Sequence, residues 1–212
     1  MKKNKALFIM VILILFSGCA ALDKEPTIKK YYGLTIKLPF AGQIISGQNL
    51  PDKNLSGIGD ALLVKELLIA STFDSHAFIY RMGENTYQTD FYNEFIVYPA
   101  KLITEKLTEN IYSSTYFSQP MANREQAIQY RLSGKILNLY GDFQTPDSPK
   151  AVMEIRLILE KKQDNAFASY SNKTYRFEEP IASPSPEDLV AGWNKGLTNI
   201  ILQFLTDYQS FN

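Results

Sequence analysis

Few side chains in this sequence could carry out chemistry, because its 212 residues include one histidine and one cysteine. His76 follows Asp74 and Ser75, but neighbours in sequence do not form a Ser-His-Asp triad, so a hydrogen-bonded or exposed histidine is the better interpretation. The same counts exclude the usual multi-histidine and Cys-rich metal centres. Gly57 and Gly59 lack the further glycine and the lysine of a phosphate-binding loop. We therefore predict that the protein is not an enzyme and holds no metal or cofactor.

Charge and composition limit the kinds of partner and the classes of protein that are compatible with the sequence. The chain has 22 basic and 22 acidic residues, and this balance gives no basic excess for binding nucleic acid. Hydrophobic residues are 45% and charged residues 21%, which is typical of a packed globular protein. The length suits one domain better than two. A binding or assembly protein is the class that remains.

The one cysteine follows a segment typical of an export signal. Three lysines lie within the first five residues, and an apolar run covers residues 6–16. This run is about half of the ~20 residues that a membrane-spanning helix needs. Phe16-Ser17-Gly18-Cys19 then resembles the bacterial lipoprotein pattern of an apolar residue, a spacer, two small residues and a cysteine. The alternative is a short N-terminal anchor helix that is never cleaved.

The lipoprotein resemblance implies how the chain is divided and where it resides. Residues 1–18 would be the signal peptide, and Cys19 would carry the acyl chains, palmitate among them, that hold the protein on a membrane. Residues 19–30 form a tether, and residues 31–212 form the domain. Ala20 stands where an aspartate commonly retains a lipoprotein at the inner membrane. The resemblance therefore implies a lipid-anchored protein of the outer membrane that faces the periplasm.

Hydrophobic patterning predicts most of the secondary structure. The segment 61–70 is expected to be a buried strand with a polar irregularity, although a helix is the alternative there. Gly134 is a candidate β-bulge, and residues 41–59 form a long loop. Strands are expected at 31–38, 77–82, 86–91, 126–142, 151–160 and 167–177.

Two amphipathic helices complete the pattern. The first is expected to begin near Tyr98, since Pro99 suits a helix start, and to end at Tyr112. The second covers 189–208 and is capped by Ser183 or Ser185. We predict a single α+β domain with a mixed, largely antiparallel sheet and two long helices packed mainly on one face.

The order of these elements resembles that of the ABC-type transport auxiliary lipoproteins. The resemblance covers nearly all of residues 31–208, including a closing helix. It is carried by Tyr31-Tyr32-Gly33-Leu34, by Phe78-Ile79-Tyr80-Arg81, by Tyr92-Asn93-Glu94-Phe95 opening a helix, and by the long strand from Tyr130-Arg131-Leu132.

The family implies a non-enzymatic lipoprotein of an MCE-type lipid transport system with an inner-membrane ABC transporter. Its partners would be the MCE-type protein and the ABC transporter subunits, docked through an edge strand or an aromatic patch. Tyr80 and Arg81 are the candidate binding residues, with an edge-strand salt bridge as the alternative role of Arg81. Aromatic residues that could form a sticky surface, or else pack in the core, are Tyr31, Tyr32, Tyr112, Tyr116 and Phe117.

Two other functions are compatible with the sequence. A lipid-binding carrier would have an apolar pocket between helix and sheet that holds a phospholipid. An assembly lipoprotein would serve another envelope complex, such as a secretion machine. The sequence also leaves open whether the chain forms a homo-oligomer.

Overall fold

The structure, a computed structural model, describes residues 28–36, 38, 59–120 and 128–210. These residues form one α+β domain with a mixed sheet and two helices, as the sequence predicts. The strands are β1 Lys30–Tyr32, β2 Asp60–Val64, β3 Leu68–Ile69, β4 Ala77–Arg81, β5 Tyr87–Phe95, β6 Phe117–Ser118, β7 Tyr130–Asp142, β8 Lys150–Gln163 and β9 Ala166–Pro180. The helices are α1 Pro99–Tyr112 and α2 Pro186–Ser210, and a 3-10 turn covers Ser71–Phe73.

The long strand β7 organises the sheet. Three short strands lie parallel to it, one after another along one edge: β2 pairs with Leu132, β3 with Ile136, and β4 with Asp142. The other edge of β7 pairs with β8 in an antiparallel ladder, and β8 pairs likewise with β9. Segments from both halves of the chain therefore meet on one strand.

The described sheet has outer strands at β1, β6 and β9. β5 pairs antiparallel with β4, and β1 adds in parallel to β5. β6 pairs with β2. The longest ladders are antiparallel and the parallel ones are two or three residue pairs long, so the sheet is mixed and largely antiparallel.

Both helices pack mainly on one face of the sheet, and the core lies between. Alternate residues of β8, from Ala151 to Leu159, point toward α2 and are buried. Trp193 of α2 packs against both Phe78 and Phe95, with ring centroids 5.0 and 5.2 Å away, and its indole nitrogen donates a 3.2 Å hydrogen bond to the Val152 carbonyl. Apolar side chains thus fill the space between α2 and the sheet at this point.

Local signals account for the helix starts. Pro99 is the first residue of α1, directly after Tyr98. The Ser185 hydroxyl accepts a 3.2 Å hydrogen bond from the Asp188 amide, which makes Ser185, and not Ser183, the residue that caps α2. Within the described part of the chain, neither helix is both long and apolar enough to cross a bilayer.

Three expectations from the sequence need correction. Tyr92-Asn93-Glu94-Phe95 does not open a helix, because these residues lie in β5, where Asn93–Phe95 pair with β1 and Glu94 also pairs with β4. The first strand is shorter than 31–38 and ends at Tyr32. The register shift in β7 lies between Ile136 and Asn138, not at Gly134. Gly134 instead permits close packing, since an added Cβ would lie 2.3 Å from the Arg156 carbonyl oxygen.

The segment 61–70 is extended, as predicted, and the alternative of a helix is wrong. It forms β2 and β3, separated at the polar residues Lys65 and Glu66. The amide of Lys65 still donates to the Leu132 carbonyl, so the segment follows β7 through the interruption. The predicted loop at 41–59 lies outside the described residues except for Gly59.

Candidate functional site

Strand β5 is irregular at Asp90, and this carboxylate holds the irregularity in place. Its Oδ1 accepts hydrogen bonds from the amides of Tyr92 (2.8 Å) and Asn93 (3.1 Å). Its Oδ2 accepts from the Asn93 side chain (2.8 Å) and the Tyr80 hydroxyl (2.5 Å). An aspartate bonded to amides two and three residues ahead turns the backbone. The rings of consecutive Phe91 and Tyr92 consequently touch, with centroids 5.1 Å apart, whereas a regular strand would send them to opposite faces.

The electrostatics of this cluster favour a charged Asp90 and a neutral Tyr80. Burial raises the pKa of Asp90, but the hydrogen bonds from Tyr80, Asn93 and the backbone outweigh it and hold that pKa below its usual range. Burial, and then the bond to Asp90, raise the pKa of Tyr80. The arrangement is that of a structural hydrogen bond and not of an acid–base pair.

A second tyrosine extends this cluster to helix α2. The Tyr32 hydroxyl donates to the Glu187 carboxylate at 2.9 Å and lies 3.0 Å from Asn93 Oδ1. Burial and the bond to Glu187 raise the pKa of Tyr32 to about 12. Lys30 also reaches Glu187 at 3.1 Å. Edge strand β1 is therefore tied to both β5 and the start of α2.

Five large apolar side chains are exposed around this end of the sheet. They are between 42% and 68% exposed, and we call them the aromatic edge: Tyr31, Phe91, Tyr92, Ile96 and Tyr98. They belong to β1, to β5 and to the segment leading into α1. The register places Tyr31 beside Glu94, and the Ile96 amide donates to the Tyr32 carbonyl at 2.9 Å. Pairing in the sheet thus fixes the backbones of Tyr31 and Ile96, and Asp90 fixes that of Tyr92, while the side chains face solvent.

The lysine that precedes β1 lies against the aromatic edge. Lys29 forms a 2.6 Å ion pair with Glu94, and its ammonium group lies 4.7 Å from the centre of the Phe91 ring. The hydrogen bond to Glu94 raises the pKa of Lys29. The ammonium group is thus neutralised locally, and the surface is apolar rather than basic.

Tyr80 and Arg81 are adjacent in β4, and their side chains have separate partners. Tyr80 stacks on Phe143 with ring centroids 4.9 Å apart, in addition to its bond to Asp90. The Arg81 guanidinium lies 3.7 Å from the Asp142 carboxylate and 6.0 Å from the centre of the Tyr140 ring. Successive strand residues point to opposite faces, so the two do not share a surface. Arg81 does form a salt bridge, but in a strand paired on both sides, and a role of either residue in partner binding stays a prediction.

The other aromatic residues that the sequence suggested for a surface have mixed positions. Tyr31 is exposed, Tyr32, Tyr112 and Tyr116 are half-buried, and Phe117 is buried. The Tyr112 hydroxyl donates to the Leu62 carbonyl at 2.8 Å. Sequence reasoning missed the rest of the aromatic edge, and the only signal for it is the pair Phe91-Tyr92, which a regular half-buried strand would not accommodate on one face.

The opposite end of the sheet offers a second surface of different character. β9 is 15 residues long and pairs with β8 alone among the described strands. Its charged side chains are already paired: Lys173 with Asp207 at 2.7 Å, and Arg176 with Glu154 and Glu178, both at 2.7 Å. The free edge of β9 therefore presents backbone groups rather than unpaired charges.

An open groove runs between the segment after β1 and helix α2. It has a volume of about 650 Å³ and is lined by Thr35, Glu179, Asn194, Lys195, Thr198 and Asn199. The Thr35 amide donates to Asn194, and Lys195 pairs with Glu179. Polar walls that already bond to each other are unsuited to the acyl chains of a lipid.

His76 has a hydrogen-bonded position. Its Nδ1 lies 2.9 Å from the Phe95 carbonyl, to which it donates, and its ring packs on Tyr98 with centroids 4.1 Å apart. In the described ranges, no three His, Cys, Asp or Glu side chains cluster closely enough to hold a metal ion. Cys19, the predicted site of lipidation, lies outside the described residues.

Comparison with known proteins identifies the fold. No protein-family model matches the sequence, and no curated protein matches it significantly. The crystal structure of protein XCC0632 from Xanthomonas campestris, described as family DUF330, superimposes with a TM-score of 0.65 and 15% identity over 83% of this chain and 92% of that one. A crystal structure of an uncharacterized protein has a TM-score of 0.59 and 12% identity over 85% of this chain and 99% of that one. At such low identity the likeness is one of fold alone.

Proposed function

We propose that this protein is a non-enzymatic lipoprotein, anchored in the outer membrane through Cys19 and facing the periplasm. It belongs, in this proposal, to an ABC/MCE-type envelope lipid transport system of the kind served by the auxiliary lipoproteins that the sequence resembles. Its domain docks onto the MCE-type tunnel or shuttle component. The single observation that carries the docking role is the edge of β9 that no described strand covers.

The chemistry of β9 supports docking through the backbone. A long strand with one unpaired edge can add a strand from another protein, and main-chain hydrogen bonds then supply the affinity. Lys173 and Arg176 are bound to carboxylates of this chain, so they do not present unpaired charges to an added strand. The sequence supports the anchor independently, since the export-type segment ends directly at the one cysteine.

No comparable observation favours a lipid-binding carrier. The space next to Trp193, between α2 and the sheet, is filled by Phe78 and Phe95, and the groove beside Asn194 is polar. An assembly lipoprotein of another complex would use the same β9 edge, and the identity of the captured partner distinguishes that function from ours.

Site-specific photo-crosslinking in cells tests the proposal. A benzophenone amino acid replaces Thr174, which is exposed on β9, and in a matched variant it replaces Thr115, which is exposed in the turn after α1. We expect the Thr174 variant to crosslink to an MCE-type or ABC transporter subunit and the Thr115 variant not to. Crosslinks to a secretin or porin-assembly subunit would favour the assembly function.

A pull-down of the acylated protein from native membranes provides a second test. Recovery of neither an MCE-type nor an ABC component, together with no crosslink from Thr174, would contradict the proposed function.

A further inference from the structure

The aromatic edge is placed where the chain leaves the domain toward its N-terminus. Ile28, at 77% exposure, is the first described residue, and Lys30 begins β1. Cys19 lies nine residues before Ile28 in the sequence. Since an extended residue spans at most ~3.3–3.6 Å, Ile28 lies no more than about 30 Å from Cys19. An acylated Cys19 therefore keeps this end of the sheet close to the bilayer.

The sheet leads away from this end of the domain. Going from β1 through β5, β4, β7 and β8 to β9 crosses five strand spacings of ~4.8 Å, so the path along the sheet from β1 to the β9 edge is about 24 Å. If the β1 end rests on the bilayer, the open edge of β9 is five strands away from that contact along the sheet. The edges at β1 and β9 would then have different neighbours.

The side chains of the aromatic edge suit the boundary between lipid headgroups and acyl chains. Tyrosines are enriched at that boundary because the ring is apolar and the hydroxyl forms hydrogen bonds with water. The aromatic edge contains three tyrosines, Tyr31, Tyr92 and Tyr98, beside Phe91 and Ile96. An exposed cluster of this kind on a monomer marks an interaction surface. Lys29 and Lys30 are paired with Glu94 and Glu187, so the attraction does not depend on anionic lipid.

We propose that the aromatic edge rests on the surface of the bilayer that holds the Cys19 anchor. The inference depends on the lipid anchor of the proposed function and extends it, since the lipid surface becomes a second partner of the folded domain. The contact orients the domain and leaves β9 free for the protein partner.

The single cysteine of the chain allows a direct test with the full acylated protein. If Cys19 is acylated, an Ile96→Cys substitution creates the only reactive thiol, which is labelled with an environment-sensitive NBD maleimide. Ile96 is exposed, and its backbone amide bond to Tyr32 does not need the side chain. Thr174→Cys, on β9, is the matched control. Both proteins are reconstituted into vesicles of phosphatidylcholine and phosphatidylethanolamine, some of them carrying a nitroxide-labelled lipid.

The expected result is a several-fold increase and a blue shift of NBD emission at Ile96, with quenching by the shallow nitroxide lipid and little effect of salt. The Thr174 probe should show the emission of a probe in water. Emission from buried Trp193 checks that each variant is folded.

The possible failures are distinguishable. Labelling of two thiols in each chain would mean that Cys19 is free, which overturns the proposed anchor and this inference with it. One labelled thiol, sedimentation with vesicles and an Ile96 probe that stays exposed to water would overturn only the membrane contact. Shielding of Ile96 in vesicles without quenching by the nitroxide lipid would overturn it in favour of a second copy of the chain.

Discussion

The hydroxyl of Tyr80 donates a 2.5 Å hydrogen bond to the carboxylate of Asp90, and so joins β4 to the irregular part of β5. The bond crosses the β-bulge between these two strands. It fixes the backbone that exposes Phe91 and Tyr92, although neither of its two residues belongs to the aromatic edge.

Replacing Tyr80 with phenylalanine should destabilise the domain moderately. Tyr80→Phe keeps the stacking on Phe143 and removes a hydrogen bond to a charged group, which contributes about 1.5–3 kcal/mol. We expect the free energy of unfolding, measured by urea denaturation, to fall by about that amount. Tyr98→Phe is the control at an exposed position, with an expected change within about 0.5 kcal/mol. Equal effects of the two substitutions would contradict the role assigned to Tyr80.

The contribution of Asp90 should depend on pH. Its pKa is lowered in the folded state, so its stabilisation is present above the ordinary value of 3.8 and is lost as the pH falls through the lower native pKa. The stability difference between the wild type and Asp90→Asn should therefore shrink when the pH falls from about 7 to about 3.

Chemical denaturation of both proteins across that range measures this difference. Glu160, Glu178 and Glu187 also have lowered pKa values, but they are present in both proteins and cancel in the comparison. A difference that stays constant with pH would show that the charge on Asp90 does not stabilise the fold.

Substitution by alanine should have opposite effects on the stability of the domain at two glycines of α2. A Cβ at Gly192 would lie 2.5 Å from the Ala151 Cβ and 2.9 Å from Ile181, so Gly192→Ala should destabilise the domain by about 1–3 kcal/mol. A Cβ at Gly196 would meet its nearest neighbours at 3.7 Å, an ordinary contact. Gly196→Ala should raise stability by up to about 1 kcal/mol through helix propensity. Thermal unfolding monitored by circular dichroism compares them, and destabilisation by both would contradict the packing described for Gly196.

The proposed lipid anchor is tested by replacing Cys19, the residue that would carry the acyl chains. Cys19→Ser should abolish labelling of the protein by radioactive palmitate and block cleavage before residue 19, while the domain itself still folds. Mass spectrometry of the N-terminus, combined with membrane fractionation, measures both effects. A wild-type protein with an unmodified N-terminus that is free in the cytosol would show that Cys19 is not an anchor.

Regular periodicity made much of the fold predictable. The apolar residues of α2 recur at helical spacing, and those of β8 alternate from Ala151 to Leu159, so both elements could be located closely. The α+β class followed from these segments and from the hairpin of β4 and β5. Pro99 and Ser185 marked the helix starts because proline and serine act locally on the backbone.

Features that depend on distant contacts were not predictable. The family resemblance places Tyr92–Phe95 at the opening of a helix, whereas pairing with β1, a strand some 60 residues earlier in the chain, makes Asn93–Phe95 the end of β5. Gly134 suggested a bulge because a glycine in a strand has two common causes, and the actual cause, the nearby Arg156 carbonyl, belongs to another strand. The aromatic edge was missed for a related reason, since exposure depends on which strand lies at the end of the sheet.

The succession of β2, β3 and β4 along β7 has a consequence for biogenesis. Each of these strands precedes its partner by more than 50 residues, and loop closure over such distances slows folding. A chain emerging in order from its N-terminus cannot complete this sheet until the residues of β7 have followed. Strands β2 and β3 thus stay without their native pairing until then, and if the protein is exported as we propose, this delay keeps the early sheet incomplete during translocation.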